Sequence, residues 1–278
     1  MPPTPSIVAG TDFSKSGNRA VARASGLAEQ LGMRQVTVHV VPDAYASRAE
    51  RDAATAEALE TLEFRNGTAR VGRAHVVRVG SPHEELVRTA ELEGAHVIVV
   101  GVHTSKHAFE GFLVGSTAER VLRSGHCAVL LARLSASRRY KKVLVPVDLG
   151  ESSLRLLDLA RSLFPGALFQ VVHCQPASVA HRAHLKSKQA TTAAVEPLRE
   201  RLLQLCKAAG IPDERCHVQV ATARDPRRRI IELAKFHEVD VIAMGTHARS
   251  GIHRMLLGST ADYVARAARS DVLVLPPT

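Results

Sequence analysis

The chain of 278 residues is 45% apolar, 23% charged and 4% aromatic, with a net charge of +10. That apolar share supplies a hydrophobic core and excludes a wholly disordered polymer, and the length suits one large domain or two modest ones. No apolar run reaches the roughly 18 residues of a membrane-crossing helix and Met1–Pro5 lacks a secretory pattern, so a cytoplasmic protein without a membrane partner is expected.

Taken in chain order, Ile7–Thr11 reads as a strand ending at Asp12, followed by a serine and a helical pattern. Val36–Val40 reads as the next strand and Val97–Val100 as a later one closing on Gly101. Gly115-Ser116-Thr117 opens a helix leading into strand Ala128–Leu131.

The second half repeats this order. Strand Lys142–Val147 ends at Asp148, and a helix follows over Ser152–Phe164 with Leu154, Leu157 and Ala160 at helical spacing. Strand Ala167–His173 leads to a long helical stretch ending near Lys207, where Gly210 and Pro212 stop it. After strand Cys216–Ala221, Asp225-Pro226 caps a helix that carries Ile230, Ile231 and Ala234 and runs to His237. Val239–Met244 is a continuous apolar run, as in a strand covered on both faces. Gly258-Ser259-Thr260 opens a helix to about Arg269, and Asp271–Leu275 closes the chain.

Asp12 corresponds to Asp148 at an offset of 136 residues, and Gly115-Ser116-Thr117 to Gly258-Ser259-Thr260 at 143. Two homologous domains, 1–134 and 141–278, are therefore predicted, joined near Ser135–Lys141. Alternating strands and helices make each an α/β domain with a parallel sheet and helices on both faces.

Ligands of such sheets gather outside the carboxyl ends of the strands, where strand order reverses. Asp148 and the loop Gly245–Gly258 sit there in the second half. Glycines admit close backbone approach, and a helix start offers amide donors and the positive end of a dipole, so the loop suits phosphate. Plain helix capping by Gly258-Ser259 is the competing reading.

The four cysteines, Cys127, Cys174, Cys206 and Cys216, form no C-x-x-C and read as small buried thiols of a reducing compartment. His103/His107 and His181/His184 lack a third ligand nearby, so no metal site is assigned. The net charge is +3 over residues 1–139 and +7 over 140–278. Its two clusters, Arg138–Lys142 and Arg227–Arg229, lack interleaved aromatics and predict solvated surface with no specific nucleic-acid partner. No Walker loop, dinucleotide fingerprint or nucleophile elbow occurs, and no nucleophile–base pair stands out, so no catalytic residue is assigned.

The run from Gly245 to Thr260 resembles the signature of the universal stress protein family. Its ATP-binding members show glycine, two residues, glycine, nine residues, then glycine followed by serine or threonine. The resemblance extends over both halves. It implies two tandem five-stranded, Rossmann-like domains of the adenine nucleotide α-hydrolase-like type, packed as an intrachain pseudo-dimer through the edge strands Ala128–Leu131 and Val272–Leu275. It places the adenine end against Asp148 and near Cys174, with Pro146 and Val147 also among the nucleotide-binding residues. Ribose and phosphates fall against Gly245, His247, Ala248, Gly258, Ser259 and Thr260.

Ala248 stands where the family has its second glycine, with the nine-residue spacing to Gly258 kept. In the first half Thr104 takes that place and ten residues separate it from Gly115. A weaker second site at Asp12, Val40, Gly101, Gly115, Ser116 and Thr117 follows, binding nucleotide poorly or not at all. The resemblance thus implies a cytoplasmic stress-response module that binds ATP, with or without Mg2+, chiefly in its C-terminal domain, and that is open to further homodimerisation. A nucleotide-independent scaffold and a slow ATPase are the alternatives.

Overall fold

The computed structural model describes residues 5–44, 47–67, 72–102, 114–124, 127–136, 139–176, 188–246 and 257–277. The chain divides into two compact units, Met1–Arg139 and Tyr140–Thr278. No helix among the described residues is long and apolar enough to cross a membrane.

The first unit runs β1 (Ser6–Thr11), α1 (Lys15–Leu31), β2 (Arg34–Val41), α2 (Arg48–Asn66), β3 (Arg73–Val79), α3 (Pro82–Leu92), β4 (Ala95–Gly101), α4 (Ser116–Ser124) and β5 (Ala128–Ala132). Its strands pair in parallel in the order β3-β2-β1-β4-β5. The chain therefore steps outward from β1 to β3, then returns to β4 and β5. With right-handed crossovers, α1 and α2 cover one face, and α3 and α4, which touch each other, cover the opposite one.

The second unit has β6 (Lys142–Pro146), α5 (Glu151–Leu163), β7 (Leu168–Pro176), α6 (Lys188–Ala208), β8 (Cys216–Ala223), α7 (Pro226–Phe236), β9 (Val241–Gly245), α8 (Ser259–Ala267) and β10 (Asp271–Leu275). Its parallel order is β8-β7-β6-β9-β10. The central strands of both units are buried on both faces. Ile7, Val8, Ala9, Val97 and Val99 are fully excluded from solvent, as are Val143, Leu144, Val145, Val241, Ile242 and Ala243. This accounts for their unbroken apolar runs.

Helix ends follow local chemistry. Ser14 accepts the Gly17 amide at the start of α1, and Gly32 ends it in a left-handed conformation at φ 65°. Ser47 and Glu50 form a reciprocal capping box on α2. Asp225 accepts the Arg227 amide, with Pro226 at the first position of α7. Two details depart from the periodicity. Leu154 lies on the outer side of α5 and is 39% exposed, while Ser153, Leu156, Leu157, Ala160 and Leu163 face the sheet. In α7 the buried pair is Ile230 and Leu233; Ile231 and Ala234 are half-buried. A register chosen from apolar residues alone placed these faces slightly off, because a serine packs inward and a leucine outward.

The turn from first strand to first helix is built alike in both units. Phe13 (φ 62°) and Leu149 (φ 64°), each directly after the aspartate, take the left-handed backbone that side chains disfavour by about 1–2 kcal/mol. In each unit two side chains hold the turn. His39 Nδ1–H donates to the Thr11 carbonyl and His173 Nδ1–H to the Val147 carbonyl, both at 2.9 Å. Arg65 donates to the Phe13 carbonyl at 3.0 Å and Arg201 to the Leu149 carbonyl at 3.2 Å, each across 52 residues. In the first unit Phe13 also stacks on His39 with ring centroids 4.2 Å apart, and the Arg65 guanidinium lies over the Phe13 ring.

The turn sets α1 hard against β4. A Cβ on Gly101 would lie 2.2 Å from the Ser16 carbonyl oxygen and 2.9 Å from the Gly17 nitrogen, both backbone atoms. Packing therefore requires glycine at Gly101. Where the second unit begins, Tyr140 is buried, packs edge-on to Phe164 at 4.7 Å, and donates its hydroxyl to the fully buried Asp271 at 2.5 Å. Asp240 accepts the amides of Lys141 and Lys142 at 2.7 and 3.0 Å.

Two stability outcomes follow. Gly101→Ala forces the α1–β4 backbone contact apart and lowers first-unit stability by about 1–3 kcal/mol, read by chemical denaturation. Tyr140→Phe weakens the satisfaction of a buried carboxylate and lowers second-unit stability by about 1–3 kcal/mol. An unchanged denaturation midpoint would show that other partners suffice for Asp271.

Candidate functional site

At the carboxyl ends of the first unit's strands lies a cavity of about 300 Å³. It brings together all six residues picked out in the first half: Asp12 after β1, Val40 in β2, Gly101 ending β4, and Gly115, Ser116 and Thr117 at the start of α4. Ser16 and Gly17 from the first turn of α1, and Pro82 and Leu86 from α3, complete the wall. A larger, open groove of about 660 Å³ lies between α1 and α2 over Gln35 and Thr37. Of its charged lining residues, Arg73 and Glu29 are paired with each other and Arg65 donates to the Phe13 carbonyl, and it holds none of the six.

The aspartates are oriented by the helix they precede. Asp12 Oδ1 accepts the Ser14 amide at 3.0 Å. Asp148 Oδ1 accepts both the Gly150 amide and the Ser153 hydroxyl at 2.9 Å. Each carboxylate is thereby fixed at the strand end, an arrangement suited to accepting a hydrogen bond from a ligand amine.

In the second unit Pro146 ends β6 and Val147 is buried beside it, followed by Asp148. Cys174 lies in the last part of β7, next to β6, and Gly245 ends β9, β6's other neighbour. Gly258 is the N-cap of α8, with Ser259 and Thr260 its first two residues. His247 and Ala248 lie outside the described residues, as do Thr104, His103, His107, His181 and His184. Among the described residues the Gly258 amide donates to the Thr246 carbonyl at 2.9 Å. That amide is therefore spent within the chain. The donors that helix geometry leaves for an anion are the first-turn amides after it, with the Ser259 and Thr260 hydroxyls.

The two strand-four glycines differ. Gly101 is demanded by the backbone of α1, whereas nothing among the described residues lies within 4 Å of a Cβ built on Gly245. Gly245 has a negative φ, and no packing contact among the described residues accounts for its lack of a side chain.

Charge also separates the units. The first turn of α3 carries Glu84 and Glu85, which favour the positive end of a helix. The first turn of α7 carries Arg227, Arg228 and Arg229 and no acid, the unfavourable arrangement for a helix by itself. Asp225 binds Arg227 through two contacts near 3 Å, and this hydrogen-bonded pairing draws its carboxyl below the usual range. Arg227 also lies over the ring of Tyr263, one turn into α8. Burial pushes the Cys174 thiol up to about 11, with Arg229 pulling the other way, so Cys174 presents a neutral S–H. No group of three or more His, Cys, Asp or Glu able to hold a metal ion occurs among the described residues.

Sequence reasoning missed Ser16, Pro82 and Leu86 as cavity lining and the His39/His173 and Arg65/Arg201 clamps. The clamp arginines carry the same offset as Asp12 and Asp148, which was the available signal.

Comparison with known proteins matches this geometry to one family. Universal stress protein A homolog 1 of Coxiella burnetii is 29% identical over 142 residues, covering 49% of this chain and 96% of that protein. The crystal structure of a universal stress protein from Archaeoglobus fulgidus superposes with a TM-score of 0.69 at 19% identity, covering 98% of both chains. A universal stress protein in complex with cAMP aligns over 51% of this chain and all of its own, with 25% identity and a TM-score of 0.39. The model of the universal stress protein family matches residues 4–133 and again 139–276, and the chain is therefore a tandem member of that family.

Proposed function

We propose that the protein is a nucleotide-binding regulatory module of the stress response, acting in the cytoplasm and holding an adenine nucleotide chiefly in its C-terminal unit. The observation that carries this reading is the first unit's cavity. In the first unit a space opens between Asp12 and the Gly115-Ser116-Thr117 helix start, with Pro82 and Leu86 as its side wall, and the repeat of the same elements supports a like space in the second unit. In the second unit the reading sets adenine against Asp148 beside the neutral Cys174 thiol. It sets phosphates against Ser259, Thr260 and the amides of α8's first turn, with Gly245 leaving room for the ligand.

Charge supports the choice of unit. Three arginines at the start of α7 oppose the helix dipole and suit a polyanion, while Glu84 and Glu85 in the first unit repel one. Magnesium, in this reading, arrives as the counter-ion of the polyphosphate.

A thermal-shift panel of ATP, ADP, AMP and cAMP, with and without magnesium, tests the assignment. ATP is expected to raise the melting temperature, and a hundredfold excess over Kd corresponds to about 2.7 kcal/mol. Gly258→Asp abolishes the rise by placing a carboxylate where phosphate lies, and Gly115→Asp leaves it in place. Gly245→Ala keeps the ligand-free melting temperature and diminishes the ATP response. No shift at millimolar ATP would overturn nucleotide binding. Loss of the response with Gly115→Asp alone would move the site to the first unit.

A further inference from the structure

The groove of about 660 Å³ between α1 and α2 is lined by polar side chains at positions where the second unit has hydrocarbon. The strand registers fix the correspondence. Ile7 and Val143 stand equally far before their aspartates; Ile7 pairs with Gln35, and Val143 with Phe169. Gln35 therefore answers to Phe169, and along the same registers Thr37 answers to Val171 and His75 to Val218. Arg65 and Arg201 make the same bond to their turns, which sets Asn66 against Leu202. Phe169, Val171 and Leu202 are fully excluded from solvent. Three filled apolar positions of one unit are thus a glutamine, a threonine and an asparagine in the other, beside open space.

Gly26 in the interior of α1 is a second sign. A mid-helix glycine weakens a helix relative to alanine. Yet Gly26 has a negative φ, and nothing among the described residues lies within 4 Å of a Cβ built on it. Neither backbone conformation nor packing calls for glycine there, and the missing side chain widens the groove.

Polar ties mark the ends of the groove along α1. Near Asn18, the Phe13 carbonyl accepts Asn18 Nδ2 at 3.3 Å and Arg65 Nη1 at 3.0 Å. Near Glu29, that carboxylate pairs with Arg73. Between them the Gln35 amide is consumed internally, accepting the Ser25 hydroxyl at 2.8 Å and donating to Thr37 Oγ1 at 3.2 Å. The unspent groups are few. Asn18 and Asn66 commit Nδ2 to the Phe13 and Leu62 carbonyls, which leaves each Oδ1 as an acceptor. Arg65 has no carboxylate partner among the described residues, and its guanidinium keeps donors beyond the one given to Phe13.

We propose that this groove is a binding site for a small hydroxylated carboxylate of the sugar-acid type. Its carboxylate pairs with the Arg65 guanidinium, and its hydroxyls donate to the amide oxygens of Asn18 and Asn66. The volume of about 660 Å³ falls within the range of about 300–1,000 Å³ usual for small-molecule sites. The groove shares no lining residue with the cavity at Asp12, so it stands apart from nucleotide binding.

Titration of the full-length protein with gluconate, galacturonate and tartrate, followed by calorimetry and ligand-observed NMR, tests the assignment. Sorbitol supplies hydroxyls without the carboxylate, and hexanoate a carboxylate without the hydroxyls. At least one of the three acids is expected to bind about tenfold or more tighter than sorbitol and hexanoate. Gly26→Phe fills the groove from an open helix position, and Asn66→Leu installs the residue of the second unit. Both variants are expected to keep the wild-type circular dichroism, and at least one to weaken the bound acid about tenfold or more. The selectivity measured on the wild type stands whether or not a variant folds. Failure of all three acids to bind would overturn the proposal. So would equal binding of sorbitol or hexanoate, an affinity kept in both variants, or displacement of the acid by ATP.

Discussion

The left-handed residue after each first-strand aspartate is the constraint on which the geometry rests. By reversing the chain within one residue, Phe13 and Leu149 bring the following helix back over the strand that precedes it. The same reversal leaves the aspartate at the strand's end, with one carboxylate oxygen bound to the helix start. The turn is intrinsically unfavourable, so it needs holding from outside. A histidine from the neighbouring strand and an arginine from the neighbouring helix both bond its carbonyls. Outward elements thus position a group at the centre of the sheet. The cavity lies where the strand orders diverge, between this turn and the start of the fourth helix.

The two units use this frame differently. In the first, Phe13 stacks on His39 beneath an arginine, and Gly101 is locked to the α1 backbone. In the second, a leucine replaces the aromatic ring, Gly245 stands before open space among the described residues, and arginines replace glutamates beside the site. Duplication followed by separate adjustment of the rim accounts for this pattern, since the strand cores remain alike while the first turns of α3 and α7 differ in sign.

Most of the architecture was legible because buried parallel strands leave continuous apolar runs that few other structures tolerate. Asp12, Asp148 and the two Gly-Ser-Thr segments stood out because they recur in one chain. What stayed hidden depends on contacts between distant elements. The inward turn of Ser153 against the outward turn of Leu154 is set by the sheet beneath α5, not by hydrophobicity. The role of Gly101 is fixed by a carbonyl in another element, and a glycine gives no sign in sequence of whether backbone or ligand requires it.

The fastening of Tyr140 bears on where the halves can be cut apart. Its ring and hydroxyl belong to the interior of the second unit, although the residue precedes the first strand of that unit. A fragment begun at Lys141 would strip a cover from Phe164 and leave Asp271 short of a donor. An isolated C-terminal half made to keep its native interior has to carry the tyrosine with it.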